Sequence, residues 1–231
     1  MGSIFHEGSS SQASVPPEAG GFVVLHADAD CVVVDKPAGL LSVPGRGPDK
    51  QDCLARRVQA AWPDALVVHR LDQATSGIWL MARGLAMQRA FGQAFERQAV
   101  DKRYVAVVAG RVMPPVSADG WGQIDLPLAA DWPRRPLQKI DPERGRPSLT
   151  RWRILETGAD RTRLELAPRT GRSHQLRVHL QAIGHPILGD ALYAPPAVQA
   201  MAPRLLLHAC GLGLDHPSGP TRLDIRCAAP F

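Results

Sequence analysis

Lysine is scarce in this chain. Lys36, Lys50, Lys102 and Lys139 are the only four among 27 basic residues, so arginine carries nearly all the positive charge. Cysteine is scarce too: Cys31, Cys53, Cys210 and Cys227 form no C-x-x-C pair, which argues against a zinc ribbon or a thioredoxin-like redox centre. No apolar run approaches the ~20 residues of a membrane span, and the first twenty-one residues lack the apolar core of a signal peptide. Neither a Walker loop nor a G-x-G-x-x-G string is present, and no nucleotide cofactor is implied. The expectation is a soluble, cytoplasmic protein with reduced thiols, one that works without membrane or cofactor.

What is present suits a globular protein. Of 231 residues, 45% are hydrophobic and 21% charged, enough to bury a substantial core. A net charge of +5 and a pI near 9.4 favour an anionic partner. Arginine's planar fork suits phosphate and stacks on bases, although it also serves any solvated surface. Residues 1–21, with Ser9-Ser10-Ser11 and Pro16-Pro17, offer little to bury and read as a flexible leader, and 22–231 read as one ordered domain with no RNA-binding domain of the S4 type before it.

Short β-branched runs at Phe22–Leu25 and Cys31–Val34 read as paired strands, and Asp52–Trp62 as a helix closed by Pro63. Two further apolar strands, Ala65–Val68 and Ile78–Ala82, enclose a polar crossing. Leu85–Glu96 has Met87, Phe91 and Phe95 at helical spacing, which predicts a core-facing stripe. Strands follow at Tyr104–Ala109, 150–155 and 162–166. A helix carrying Leu176, Leu180 and Ile183 is predicted to start from Ser173 as N-cap and to end at Gly184. Two last strand-like runs cover 205–214 and 222–226.

The polar crossing is His69-Arg70-Leu71-Asp72-Gln73-Ala74-Thr75-Ser76-Gly77. On composition alone it reads as an ordinary turn. Yet the string HRLDxxTSG resembles the signature of the RluA-type pseudouridine synthases, which isomerise uridine within folded RNA. Further stretches resemble that family in the same order: Asp35-Lys36-Pro37-Ala38-Gly39-Leu40-Leu41-Ser42, Lys102-Arg103-Tyr104-Val105-Ala106, Gly171-Arg172-Ser173-His174-Gln175-Leu176-Arg177, and Leu206-Leu207-His208-Ala209. Asp131–Pro136 and His185–Asp190 resemble its branch of dual rRNA and tRNA specificity.

The resemblance implies a mixed α/β (α+β) fold, a bent mixed sheet with flanking helices and a central RNA-binding cleft. It implies Asp72 as catalytic carboxylate, Arg177 as the cation paired with it, and Tyr104 as the aromatic that stacks on the target base. A carboxylate in a dry pocket needs such a cation, because burial alone favours the protonated form. Arg70 is implied to fill the gap left when the uridine flips out, a step costing a few kcal/mol. His69, Thr75, Lys36, Lys102, Arg134, Arg135, Arg172, His174 and Gln175 are the further candidates for RNA contact. The implied partners are a 23S rRNA hairpin and a tRNA anticodon stem-loop, met by a monomer. No metal is expected: His174 and His179 are five apart, not the four that places two ligands on one helical face, and no Glu completes H-E-x-x-H. The rival readings are an N-glycoside hydrolase and an RNA-binding module without turnover.

Overall fold

The computed structural model describes residues 21–231, so the expected leader lies outside the described residues except for Gly21. Strands β1 (Val23–Ala27) and β2 (Cys31–Lys36) form an antiparallel hairpin. Asp28 closes its turn, its Oδ1 accepting from the backbone N–H of Asp30 (2.8 Å) and Cys31 (2.7 Å). Helix α1 (Leu54–Ala61), β3 (Ala65–Val67), β4 (Ser76–Arg83), α2 (Gly84–Glu96) and β5 (Asp101–Ala109) follow. Next come three short strands, β6 (Gly122–Asp125), β7 (Leu128–Ala130) and β8 (Gln138–Ile140), and the long hairpin β9 (Leu149–Thr157) and β10 (Arg161–Pro168). Helices α3 (Gln175–Ala182) and α4 (Pro196–Gln199) lead into β11 (Leu207–Asp215) and β12 (Arg222–Arg226).

The main sheet runs β1-β2-β4-β11-β5-β10-β9-β6, with β3 beside β4 and β12 beside β11, while β7 and β8 pair apart from it. Every pairing is antiparallel except β4 with β11, where His208 lies opposite Ser76 and Ala209 opposite Gly77. Gly77 has φ +111°, and a Cβ there would run into the Ala209 backbone, so only glycine lets the two strands meet at this point.

Alternation along the strands distributes the core. On β2 and β4, Val32, Val34, Trp79 and Met81 face α1, where Leu54, Val58 and Trp62 meet them. Val33, Ile78 and Leu80 point the other way, onto Phe91 of α2. Both faces being covered explains the uninterrupted apolar run Ile78–Ala82, and burying Phe91 alone stabilises by about 2–3 kcal/mol. In the other half, Leu176 and Leu180 of α3 pack on Ala106, Val108, Leu164 and Leu166.

The mixed α/β architecture agrees with the expected fold. Met87 and Phe95 are half-buried, and only Phe91 of the predicted stripe is fully enclosed. One expectation fails: Ser173 does not cap α3. The N-cap is His174, in left-handed conformation (φ 55°), a position that non-glycine residues adopt at a cost of about 1–3 kcal/mol.

Candidate active site

Asp72 sits in the loop between β3 and β4, and the loop is fastened from both sides. Leu71 is buried in the core, its N–H donating to Ser42 Oγ (3.1 Å) and its carbonyl accepting from that hydroxyl (2.8 Å). The Gln73 carbonyl accepts from Gly39 N–H (2.8 Å) and from Lys36 Nζ (3.0 Å). Thr75 N–H donates to the Asp72 carbonyl (3.1 Å), closing the turn. The segment from Lys36 to Ser42 is therefore a bracket for the Asp72 loop.

This corrects two expected RNA contacts. Lys36 has no exposed surface, and its ammonium also donates to the carbonyls of Pro37 (2.9 Å) and Leu40 (2.6 Å). With three carbonyl partners its donors are fully used. Burial lowers its pKa to about 8, against the pull of Asp72 and Asp35. His69 turns away from the cleft, stacking on Phe95 with ring centroids 4.5 Å apart, its Nε2 accepting from Leu80 N–H (3.0 Å).

Burial, with Lys102 adding to it, lowers the His69 pKa to about 3. The unfolded chain takes up this proton near pH 6.5 and the native one does not, so the stability contributed by neutral His69 is present above pH 6.5 and lost progressively toward pH 3. His69→Gln retains an acceptor and cannot titrate. Its denaturant midpoint should therefore fall less steeply on acidification than that of the unmodified chain, and parallel curves would refute this reading.

Across the cleft stands Arg177 of α3, 4% exposed. Its Nη1 lies 3.6 Å from Asp72 Oδ2, joining the two residues the sequence reading paired. Its principal partner, however, is Asp190: Nε donates to Oδ2 (2.8 Å) and Nη2 to Oδ1 (2.6 Å). Asp190 is 1% exposed, and its Oδ1 also accepts from the N–H groups of Leu192 (2.9 Å) and Tyr193 (3.2 Å). Gly189 makes this placement possible, since at φ +73° a Cβ would collide with the Arg204 carbonyl. Burial works against the Arg177 charge, yet Asp190 and Asp72 outweigh it and the guanidinium pKa is raised. Asp190 thus fixes the cation and leaves one edge of the fork facing Asp72.

Two aromatics complete the surroundings. Tyr104 lines the same cleft as Asp72, and burial, then the Asp72 charge, pushes its phenol pKa up, so the hydroxyl stays protonated. Tyr193, which the sequence reading missed, lies under the Arg177 guanidinium (5.0 Å), its hydroxyl 2.6 Å from His174 Nδ1 and accepting from Gln138 N–H (2.9 Å). His174 Nε2 is 4.0 Å from Asp72 Oδ1, and burial lowers its pKa, Asp72 opposing the shift and Arg177 adding to it.

Arg70, Asp72, Thr75, Lys102, Tyr104, Arg172, His174, Gln175 and Arg177 all border a cleft of about 100 Å³. It shares Arg70, Asp72, His174 and Arg177 with a groove of about 920 Å³ that reaches Arg46 and Arg135. Asp72 is the single carboxylate lining either one among the described residues. Gln175 borders the cleft but is spent on structure, its Oε1 accepting from Thr170 Oγ1 (2.7 Å) and Arg172 N–H (3.0 Å) and its Nε2 donating to Leu149 O (3.1 Å) and Thr150 Oγ1 (3.0 Å). At the groove's far side Arg135 stacks on the exposed Trp132 (3.4 Å), and Arg134, outside the groove, pairs with Asp131 (2.6 Å).

The pattern of the RNA pseudouridylate synthase family matches residues 30–182 of this chain. The chain belongs to that family. It is 46% identical over 217 residues to the dual-specificity RNA pseudouridine synthase RluA of Escherichia coli K12, covering 94% of this synthase and 97% of that one. To the RluA protein of Yersinia pestis it is 47% identical over 210 residues, covering 90% and 100%. Among solved structures, human RNA pseudouridylate synthase domain containing 1 superposes with a TM-score of 0.75 at 26% identity, over 94% of this chain and 87% of that one. The synthase thus carries Asp72 in a basic groove, a charge balance suited to a polyanionic substrate.

Proposed function

We propose that this synthase isomerises individual uridines to pseudouridine in a 23S rRNA hairpin and in the anticodon stem-loop of certain tRNAs, with Asp72 as the reacting carboxylate. The observation that supports the reading best is the lone Asp72 carboxylate 3.6 Å from a guanidinium that Asp190 already immobilises. Isomerisation breaks the C1′–N1 bond, turns the ring and joins C5 to C1′. The C5 proton is lost and N1 gains one, so nothing is oxidised and no external group is consumed. Asp72 supplies the negative charge, to the sugar carbon, to the ring or to a proton. Tyr104, held neutral, offers a flat face for the uracil.

Among the described residues Asp72 has no second carboxylate beside it in the cleft, which disfavours a glycoside hydrolase built on a pair of acids. The reading has the protein act as a cytoplasmic monomer, and among the described residues no helix is long and apolar enough to cross a membrane. RNA tritiated at uridine C5 is the test. Isomerisation releases tritium without shortening or depyrimidinating the RNA. A loss of base mass would mark a hydrolase, and binding with neither change would mark a module without turnover.

Arg70 is exposed at the lip of the cleft and makes no hydrogen bond or ion pair among the described residues, so its guanidinium is free to enter a vacated base stack. Arg70→Ala should slow turnover of a folded stem-loop by roughly tenfold or more, in keeping with the few kcal/mol that flipping costs. An unstructured oligonucleotide with the same uridine should lose little. Equal losses on both substrates would remove Arg70 from the flipping step.

A further inference from the structure

Behind the Asp72 loop, on the far side of Ser76, lies a second cluster of reactive side chains that the cleft does not use. Asp35 is the last residue but one of β2, His208 the second of β11, and Cys227 follows β12, and one carboxylate oxygen, one imidazole nitrogen and the thiol sulfur all lie within 4.8 Å of one another. His208 is 1% exposed, and its Nε2 is buried with no hydrogen-bond partner among the described residues. The Cys227 backbone lies close enough to the ring to favour its protonated form, yet no hydrogen bond of ordinary geometry reaches Nε2. A buried ring nitrogen left unpaired costs about 1–3 kcal/mol, and in a native fold such an orphan calls for a water or an ion.

The other side of the ring is prepared as a metal-ligating histidine requires. His208 Nδ1 is 2.9 Å from Ser76 Oγ, which also accepts from Arg204 Nη1 (3.0 Å). A hydroxyl oxygen has two lone pairs, so it can accept from both neighbours and hold the proton of the imidazole on Nδ1. The Nε2 lone pair is then free to coordinate, the arrangement in which an outer partner orients a ligating imidazole.

We propose that Asp35, His208 and Cys227 form a zinc site. Thiolate, imidazole and carboxylate are the three donor types zinc takes together, and three protein ligands leave a fourth position for water. Asp35 and His208 border a cavity of about 460 Å³ that has room for it. Carboxylate and thiolate together balance the ion's two charges, which matters because Lys36 and Arg204 border the same cavity. On binding, the Cys227 thiol gives its proton to solvent and its sulfur lone pair to the metal, and no electron is transferred. The ion would tie β2, β11 and the end of β12 together beside Ser76, the first residue of β4.

The spacing argument in the sequence covers only ligands close along one helix, and these three stand far apart in the chain. A different cluster, His26, Asp28 and Cys31 at the β1–β2 turn, is the natural competitor. Its imidazole is already paired, His26 Nε2 lying 2.8 Å from Asp28 Oδ2 and His216 Nε2 3.4 Å from the same oxygen, whereas in the proposed site the Cys227 thiol leans on Asp35 and the buried His208 Nε2 is left over.

Cobalt(II) titration of the full chain reports a thiolate ligand through its sulfur-to-metal charge-transfer absorption. The band should appear at one equivalent, vanish in Cys227→Ser and persist in Cys31→Ser, and zinc should displace the cobalt. Zinc affinity should drop by at least about a hundredfold in Asp35→Asn, beyond the 10–100-fold that losing an outer partner costs. Should Cys227→Ser misfold, alkylation of the unmodified chain decides the matter, because one equivalent of zinc must protect Cys227 and leave Cys210 reactive. Absence of the band in the unmodified chain, its survival without Cys227, its loss with Cys31, or undiminished alkylation of Cys227 each overturns the assignment.

Discussion

Asp72→Asn should reduce tritium release from C5-labelled RNA by at least about 10⁴-fold, the upper end of what one acid–base group contributes and equivalent to about 5.5 kcal/mol of barrier. Asparagine retains the size and polarity of the side chain and removes the charge proposed to react. The loop should hold its place, because its fastenings to Ser42, Gly39 and Lys36 run through the backbone of Leu71 and Gln73 and none uses the Asp72 carboxylate. RNA affinity, governed by phosphate contacts, should stay within about threefold and can tighten, since a negative charge has left a basic groove. Turnover equal to that of the unmodified chain would sink the assignment of Asp72.

The second large effect belongs to the other aspartate on the same guanidinium. Asp190→Asn retains an oxygen for the N–H groups of Leu192 and Tyr193 but takes away the charge opposite Arg177. A buried cation stripped of its counter-ion costs about 3–5 kcal/mol. For a domain of this size that is a fall of roughly 6–20 °C in unfolding temperature. Asp72→Asn should shift it far less, because Asp72 is 28% exposed and stands 3.6 Å off, beyond hydrogen-bond reach. The two variants separate the roles: Asp190 secures the cation, and Asp72 is the carboxylate proposed to use it. If thermal unfolding were unchanged in Asp190→Asn, the bidentate pair would not be what holds Arg177.

Some of this was readable in the residues. The apolar runs of β2 and β4 are continuous because both faces are covered, and the helices α1 and α2 declare themselves by spacing and by Pro63. The strands β6, β7 and β8 are too short to show a period, and the sequence predicts no element between Tyr104–Ala109 and 150–155. Asp72 with Arg177 came from resemblance, because nothing in spacing brings together groups so far apart in the chain.

Asp190 lies in the stretch His185–Asp190 without declaring its role, since Gly-Asp after an apolar run looks like any turn. A signal was available: a buried arginine has five donors, and one aspartate across a cleft cannot engage them all. Lys36 misleads for the opposite reason. A lysine beside Pro-Ala-Gly resembles a solvated loop charge, and the last of its three carbonyl partners, that of Gln73, lies in a loop more than thirty residues later.

The parallel junction of β4 with β11 bears on how the molecule comes into being. No hydrogen-bonded pair of strands joins β4 directly to β5; β11 lies between them, and it is made after every other strand except β12. During synthesis the two half-sheets, one ending in β4 and the other in β5, must wait side by side with open edges, the state in which chains are most prone to pair wrongly. Asp72 precedes the first edge and Arg177 is packed against the second half, so a ribosome-bound chain lacking β11 holds both groups with no means of bringing them face to face. Catalytic competence would then arrive abruptly and late, with the insertion of a single strand.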